Sequence, residues 1–371
     1  MSDGSPIPET RVLAVASHVV SGYVGNKIAV FSLQSLGCDV AALNTVQFSN
    51  HTGYKQWTGS KVSAQEITDL YQGLKQSYLD DFDMMLSGYV PGAPALEAVG
   101  QIGQELKRKA KSKPGSFFWV LDPVMGDNGS LYVAPDVVPV YKSLVPYANL
   151  VLPNQFEAEL LSEVQITDMP SIARAIQVMH ERYGIPHIVI TSVSLPHPDH
   201  PVSSLSVVGS TMTSDRKARA FKIVFPAIDC YFSGTGDMFA ALMAVRMREA
   251  VYNRGKDSQQ QQQQGSALME RESWLSEDSV DALDLPLARA AEKVLASMHE
   301  VLTKTAERME GAMRKAGEAG MNADGVGSGT GAEEKKMHLL KSKAAELRLV
   351  RHLDSLRFPQ VEFRATRLYM G

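Results

Sequence analysis

The fold class follows from residues 12–46, which read VLAVASHVVSGYVGNKIAVFSLQSLGCDVAALNTV. Residues 12–17 form a short apolar run that ends in polar residues and a glycine, as expected of a buried strand that leads into a loop. Apolar residues then recur at near-helical spacing over residues 27–36, and Gly37 follows where a helix C-cap is expected. A second apolar run, residues 40–46, completes a strand–helix–strand unit.

The same alternation continues along the chain. Further strands are predicted at residues 84–87, 117–121, 150–152, 187–191, 205–208 and 220–224. Further helices are predicted around residues 64–78 and 95–108, and starting near Gln155, Ser171, Gly234 and Leu287. Because repeated strand–helix–strand units form parallel sheets, we expect an α/β fold with a central, mostly parallel sheet and helices on both faces.

Composition excludes several classes of protein. The 371 residues are 44% hydrophobic and 21% charged, the balance of a globular chain with a buried core. A net charge of −4 provides no basic surface for nucleic acid, and no window of eighteen apolar residues predicts a membrane span. Two cysteines without a CxxC pair, and an N-terminus without a secretory leader, favour a cytoplasmic protein.

Two polar stretches interrupt the pattern of strands and helices. Residues 255–278 include six consecutive glutamines, and residues 309–336 include seven glycines and no aromatic residue. Such segments bury too little apolar surface to offset the entropy cost of ordering, so both are predicted to be disordered insertions. The rest, about 300 residues, suits one domain over residues 11–371 after a polar tail of residues 1–10.

The strongest local motif for chemistry is Phe232-Ser233-Gly234-Thr235-Gly236-Asp237-Met238-Phe239. Glycines at the start of a helix leave backbone N–H groups free, and the helix dipole favours an anion there. Asp237 lies in the first helical turn, where a carboxylate can accept the proton of a hydroxyl that attacks a phosphoryl group. The alternative is an ordinary helix start in which Asp237 only complements the dipole.

Two further clusters follow predicted strands. Asp122 and Asp127 follow the strand that ends at Leu121, where two carboxylates suit a hydrated Mg²⁺; alternatively, Asp-Pro only opens a turn. Asn154 and Glu157 follow the next strand, where they suit either a ligand or a simple capping box.

Polar and aromatic loops also follow the first two strands, at residues 17–26 and 47–54. Their composition suits a small heteroaromatic ligand that needs a few well-placed hydrogen bonds. His18 and His51 within them are equally compatible with structural roles.

The order of these motifs resembles the pyridoxal kinases of the ribokinase-like superfamily. Gly-Thr-Gly-Asp at residues 234–237 is shared across the superfamily, whereas Gly-Tyr-Val-Gly-Asn at 22–26 and Ser-Asn-His-Thr-Gly-Tyr at 49–54 are specific to this branch. The resemblance covers residues 11–247 and resumes at 346–368. It implies ATP-dependent phosphorylation of the 5′-hydroxyl of pyridoxal, pyridoxine or pyridoxamine in vitamin B6 salvage, with Mg²⁺, a monovalent cation such as K⁺, and a homodimer.

The resemblance also implies roles for individual residues. Asp237 would be the catalytic base, assisted by the N–H groups of Gly234, Thr235 and Gly236. Ser17, Thr52 and Tyr89 match vitamer-binding positions. The ATP-binding positions are matched by Asp122, Asp127, Asn154, Glu157, Thr191 and Ser192, of which Asp122 and Glu157 would also hold the metal.

One position departs from the family pattern. Leu152 stands where the family has threonine, so it offers no hydroxyl to the phosphates or the cation, and Leu152→Thr is expected to raise activity. Two alternative functions stay open: a hydroxymethylpyrimidine kinase of thiamine synthesis, and a non-catalytic vitamer-binding or scaffold protein.

Overall fold

The computed structural model describes residues 7–195, 203–254, 268–321 and 331–369. The strands in these ranges are β1 Arg11–Val19, β2 Asp39–Phe48, β3 Gly59–Lys61, β4 Met84–Ser87, β5 Phe118–Leu121, β6 Gly126–Asp127, β7 Ser130–Leu131, β8 Leu150–Val151, β9 His187–Val193, β10 Ser204–Met212, β11 Ala218–Pro226 and β12 Thr366–Arg367. The helices are α1 Asn26–Ser35, α2 Ala64–Gln76, α3 Ala93–Lys109, α4 Val137–Leu144, α5 Gln155–Ser162, α6 Met169–Tyr183, α7 Thr235–Asn253, α8 Pro286–Met321, α9 Gly331–Ala344 and α10 Leu353–Arg357.

Ten of these strands form one sheet in the order β12-β11-β10-β9-β8-β5-β4-β1-β2-β3. The six central strands, from β9 to β2, are parallel. The strands outside them pair antiparallel. The predicted α/β fold with a mostly parallel sheet is therefore confirmed, and antiparallel strands extend it at both edges.

The sheet separates two apolar layers, because successive side chains of a strand point to opposite faces. In β5, Phe118 and Val120 join one buried cluster, while Trp119 and Leu121 join the other. Helices α1, α7 and α8 cover the first face, and α2 to α6 cover the second. The predicted helices on both faces are thus confirmed.

The topology brings the predicted ligand-binding loops to one edge of the sheet. Parallel strands β1, β4, β5, β8 and β9 all end at this edge, and ligands of open α/β sheets bind beside such strand ends. Among the described residues, no helix is long and apolar enough to cross a membrane.

The predicted disorder of residues 255–278 is wrong for the part that the structure describes. Trp274 is fully buried, stacks on Phe118 with ring centroids 4.0 Å apart, and donates a hydrogen bond from Nε1 to Gly115 O at 3.0 Å. A single indole thus anchors a segment whose average composition is polar. Residues 255–267 lie outside the described residues.

The predicted linker at residues 309–336 also differs from the structure. Helix α8 continues to Met321 and α9 begins at Gly331, so regular structure occupies most of this stretch. Its alanines, lysines and glutamates are good helix formers, and the prediction of a linker considered only its glycines. Residues 322–330 lie outside the described residues.

Candidate active site

The N-terminus of α7 provides an anion-binding turn. Gly234 has φ +83°, and a Cβ there would lie 2.2 Å from Tyr23 O, so only glycine fits. No side chain caps this end of the helix. Its first-turn N–H groups are therefore available to an anion, as the sequence predicted.

Asp237 lies in this first turn and faces the loop after β1. Its Oδ2 accepts a hydrogen bond from the Gly25 N–H at 2.8 Å. Burial raises the pKa of Asp237 to about 6, although the hydrogen bond from the Gly25 N–H lowers it. A carboxylate with a pKa close to neutral suits a general base, because it is ionised at pH 7 yet basic enough to accept a proton.

Two further carboxyl groups lie nearby, both buried. Asp122 follows β5 and Glu157 lies in the first turn of α5. Burial raises the pKa of Asp122 well above its ordinary value, and the charges of Glu157 and Asp237 raise it further. Glu157 and Asp237 are thus close enough to Asp122 for their charges to act on it, as expected of a site that binds a cation.

Glu157 is held by backbone donors. Oε1 accepts the N–H of Met125 at 2.8 Å and Oε2 accepts that of Asn154 at 2.9 Å. Burial raises the pKa of Glu157 to about 7, although these hydrogen bonds oppose the shift. A positive ion beside Asp122 and Glu157 would relieve the cost of burying both charges.

The carboxyl groups fit a hydrated Mg²⁺. Within the described ranges, no group of three or more His, Cys, Asp or Glu side chains is arranged to enclose a metal. Mg²⁺ keeps several waters and takes only one or two protein carboxylates together with substrate phosphates, so two are sufficient. The donor set that the family resemblance implies, Asp122 and Glu157, is consistent with this ion.

The predicted nucleotide residues lie at the ends of β8 and β9. Asn154 caps α5 in a capping box with Glu157, and its Nδ2 donates to Gly126 O at 2.7 Å. Asn154 also forms a parallel bridge with Thr191, and the exposed Ser192 follows with φ +52°. The alternative capping role is thus present, and it positions Asn154 beside Thr191.

Asp127 differs from the other acids because it is exposed. It lies in the short β6–β7 hairpin, where its Oδ1 accepts the N–H of Asn128 at 2.7 Å. Its charge still raises the pKa of Glu157. Asp127 therefore lies at the open rim of the carboxyl cluster.

Two of the predicted vitamer residues, Ser17 and Tyr89, lie beside glycines that approach Asp237. Ser17 lies in β1, and a Cβ on Gly25 would lie 2.3 Å from Ser17 Oγ. Tyr89 follows Gly88, where a Cβ would lie 3.7 Å from Asp237 Oδ1. The carbonyl of Tyr89 accepts a hydrogen bond from the Thr45 hydroxyl at 2.7 Å. Ser17 and Tyr89 are thereby brought to the same side of the sheet as the anion-binding turn.

Thr52 reaches this region from the loop after β2. It is exposed and opens the short 3₁₀ turn Thr52–Tyr54. A Cβ on the next residue, Gly53, would lie 3.1 Å from Ser233 Oγ, directly before the anion-binding turn. The loop that carries Thr52 therefore contacts the start of α7.

Comparison with known proteins agrees with this arrangement. The chain is 36% identical to a putative pyridoxal kinase of Schizosaccharomyces pombe, over 81% of this chain and 86% of that protein. The chain belongs to the pyridoxal kinase family. It is also 42% identical to the pyridoxal kinase of Homo sapiens, over 63% of this chain and 76% of that one. A family model described as phosphomethylpyrimidine kinase matches residues 97–253.

Solved structures of the family share the fold. Pyridoxal kinase from Leishmania donovani, in complex with ADP and pyridoxamine, matches with a TM-score of 0.72 and 28% identity, over 97% of this chain and all of that one. Pyridoxal kinase from Trypanosoma brucei matches with a TM-score of 0.69 and 25% identity, over 97% and 100% of the two chains. The sheet is thus that of the ribokinase-like fold, and the protein is a kinase.

Leu152, which stands where the family pattern has threonine, lies in the core. Its side chain is 3% exposed and belongs to the apolar cluster that contains Met238 and Phe239 of α7. It therefore contributes to the core beneath the site, where a hydroxyl would meet apolar neighbours.

Sequence reasoning missed Glu346. This residue follows α9 and contacts both N-terminal loops, at His51, Tyr54 and Tyr23. The one sequence signal for Glu346 was that the family resemblance resumes at this residue. That resemblance assigned no role to the side chain.

Proposed function

We propose that this protein transfers the γ-phosphoryl group of ATP to the 5′-hydroxyl of pyridoxal, and also of pyridoxine and pyridoxamine. Pyridoxal 5′-phosphate is then the product from pyridoxal, as in vitamin B6 salvage. The observation that carries the proposal is Asp237, a carboxylate of raised pKa in the first turn of an uncapped helix. A base and an anion-binding turn in one place suit transfer of a phosphoryl group to an alcohol.

In the proposed reaction, Asp237 accepts the proton of the 5′-hydroxyl as its oxygen attacks the phosphoryl group. The N–H groups of Gly234, Thr235 and Gly236 stabilise the charge on the transferred group. Ser17, Thr52 and Tyr89 orient the vitamer ring. Support for these roles comes from the contacts that join their loops to Asp237 and Ser233.

The nucleotide is proposed to lie along the ends of β5, β8 and β9. Its contacts would be Asp122, Asp127, Asn154, Glu157, Thr191 and Ser192. Asp122 and Glu157 would hold Mg²⁺, which supplies positive charge to the phosphates when it is bound. A monovalent cation such as K⁺ and a homodimeric assembly are further parts of the proposal, and both rest on the family.

The nearest alternative is a hydroxymethylpyrimidine kinase, which the match to the phosphomethylpyrimidine kinase model favours. The two branch-specific loops and the greater coverage by pyridoxal kinases favour pyridoxal. A scaffold without activity would need Asp237 only as a structural residue at the start of α7.

The test is phosphate transfer from Mg-ATP, measured side by side with pyridoxal and hydroxymethylpyrimidine. We expect a higher kcat/KM for pyridoxal. A preference for the pyrimidine would overturn the assignment, and no turnover with either acceptor would favour the scaffold.

A further inference from the structure

Glu346 joins two loops of the N-terminal half from a position near the end of the chain. Its Oε2 accepts the Tyr23 N–H at 3.1 Å, and its Oε1 accepts the Tyr54 hydroxyl at 3.0 Å. Oε1 also lies 3.2 Å from His51 Nε2. These partners belong to the two loops that carry the proposed vitamer site.

The surroundings of Glu346 are specific to a carboxylate. Its side chain is only 20% exposed, and it pairs with His51. A Cβ on Gly22 would lie 2.7 Å from Oε1, so the loop closes tightly around the carboxylate. Burial raises the pKa of Glu346, but His51, Tyr54 and the Tyr23 N–H outweigh burial and leave the pKa below its ordinary value.

An ionised Glu346 determines which ring nitrogen of His51 carries the hydrogen. The carboxylate only accepts, so Nε2 of the imidazole must donate, and in a neutral ring Nδ1 is then the acceptor. His51 Nδ1 is buried and has no hydrogen-bond partner among the described residues. It lies 2.8 Å from where a Cβ on Gly53 would be, and Ser233 Oγ lies 3.1 Å from that same point.

These contacts lead to the anion-binding turn by two routes. Tyr23, held through its N–H, presents its carbonyl to Gly234. His51, held through Nε2, faces Gly53 and the hydroxyl of Ser233. We infer that Glu346 is a positioning residue for the reaction: it holds the loops of Tyr23 and His51 against the start of α7 and sets the tautomer of His51.

The inference rests on the proposed function and deepens it. Glu346 acts on the loops of the vitamer, whereas Asn154, Thr191 and Ser192 lie at the ends of other strands. Loss of the carboxylate should therefore weaken the vitamer site and the support of the anion-binding turn, and spare the nucleotide contacts at Asn154, Thr191 and Ser192.

Glu346→Gln is the direct test, because it keeps the size of the side chain. The amide can still accept the Tyr23 N–H, but its NH₂ group then faces His51 Nε2 and the Tyr54 hydroxyl, which both donate to the carboxylate in the wild-type protein. We expect KM for pyridoxal to rise roughly tenfold, the size of one well-placed hydrogen bond, with KM for ATP within about twofold of wild type. Glu334→Gln, an exposed change on α9, is the matched control.

Two measurements separate positioning from a purely structural role. The ¹⁵N shifts of His51 should change from the Nε2–H to the Nδ1–H tautomer in Glu346→Gln. In a His51→Ala background, Glu346→Gln should change KM for pyridoxal much less than it does alone. Should Glu346→Gln fail to fold, Tyr54→Phe removes one donor to the same carboxylate and should raise KM for pyridoxal by roughly threefold.

An unchanged His51 tautomer, or equal rises in both KM values together with a lower melting temperature, would overturn the inference. Failure of the proposed function is distinguishable, since wild-type protein would then not phosphorylate pyridoxal. The tautomer measurement needs no turnover and tests the positioning of His51 in either case.

Discussion

Asp237 has a catalytic and a structural interpretation, and Asp237→Asn separates them. The amide keeps the volume of the side chain and can still accept the Gly25 N–H, but it cannot take a proton. General-base assistance typically contributes ~10²–10⁴-fold, so we expect kcat to fall by about that factor with ATP affinity largely kept. The measurements are kcat, ATP binding by calorimetry and the melting temperature.

A helix-dipole role makes the opposite forecast for the same variant. A carboxylate that only complements the dipole contributes about 0.3–1 kcal/mol of stability and nothing to turnover. An active but less stable Asp237→Asn protein would therefore contradict the catalytic role.

Glu157 makes stability depend on pH, with a definite sign. Its pKa is about 7 in the fold against 4.5 ordinarily, so its protonated form favours folding. That stabilisation is complete below pH 4.5 and is lost as pH rises through 7. In the wild-type protein the free energy of unfolding should fall between pH 4.5 and 7.5, and in Glu157→Gln this fall should be smaller by about 1–3 kcal/mol. Urea titration without ligand measures both.

The control for this pH effect is Glu97→Gln on α3, since Glu97 is exposed. It should keep the wild-type pH dependence. An equal slope in Glu157→Gln and wild type would show that Glu157 titrates at its ordinary pKa.

Leu152 is expected to behave as a core residue. Leu152→Thr removes buried methyl groups and adds a hydroxyl among apolar neighbours, so it should cost about 2–5 kcal/mol of stability and leave kcat at or below wild type. Leu152→Val, of nearly the same shape as Thr, isolates the hydroxyl. Higher activity in the Thr variant alone would restore the interpretation from the family pattern.

At the scale of elements, the polar insertion divides into two parts with different expected effects. Deleting the glutamines at residues 259–264 should leave the melting temperature and turnover nearly unchanged, because their composition cannot form a packed core. Trp274→Ala should cost about 3–5 kcal/mol, because the indole is buried against Phe118. Thermal unfolding of both variants checks the pair, and a large loss on deleting the glutamines would contradict it.

The sequence predicted elements well where periodicity and caps agree. Strand β4 at Met84–Ser87 matches its prediction at both ends, and α5 begins at Gln155 as Asn154 indicated. Strand direction was missed for β10 and β11, because periodicity does not reveal whether a strand pairs parallel or antiparallel. Trp274 was missed because the polarity of a whole stretch hides one buried anchor.

At the scale of the whole molecule, the site residues that the sequence can predict are those at the ends of strands. Asp122 and Asn154 each follow a predicted strand and Thr191 ends another, and the parallel topology brings them to one edge. Glu346 follows no strand, and it contacts Tyr23 across 323 positions of sequence. Contacts of that kind depend on tertiary packing, which local patterns do not contain.

The C-terminal segment contacts the N-terminal loops, as expected if residues 11–371 form one domain. Trp119 and Trp274 are both fully buried, but in the apolar clusters on opposite faces of the sheet. Strand β5 contributes to both clusters, so neither layer can lose its packing without exposing the other. We expect 5-fluorotryptophan resonances of Trp119 and Trp274 to disappear at the same urea concentration, as in a single cooperative transition.

Trp57 is the internal control for this experiment, because it is 48% exposed and its resonance should change least on unfolding. Single Trp→Phe variants assign the three signals. If the Trp274 signal were lost at a clearly lower urea concentration than that of Trp119, the layer formed by α1, α7 and α8 would unfold on its own. The chain would then contain two cooperative units, and the anion-binding turn of α7 would belong to the weaker one.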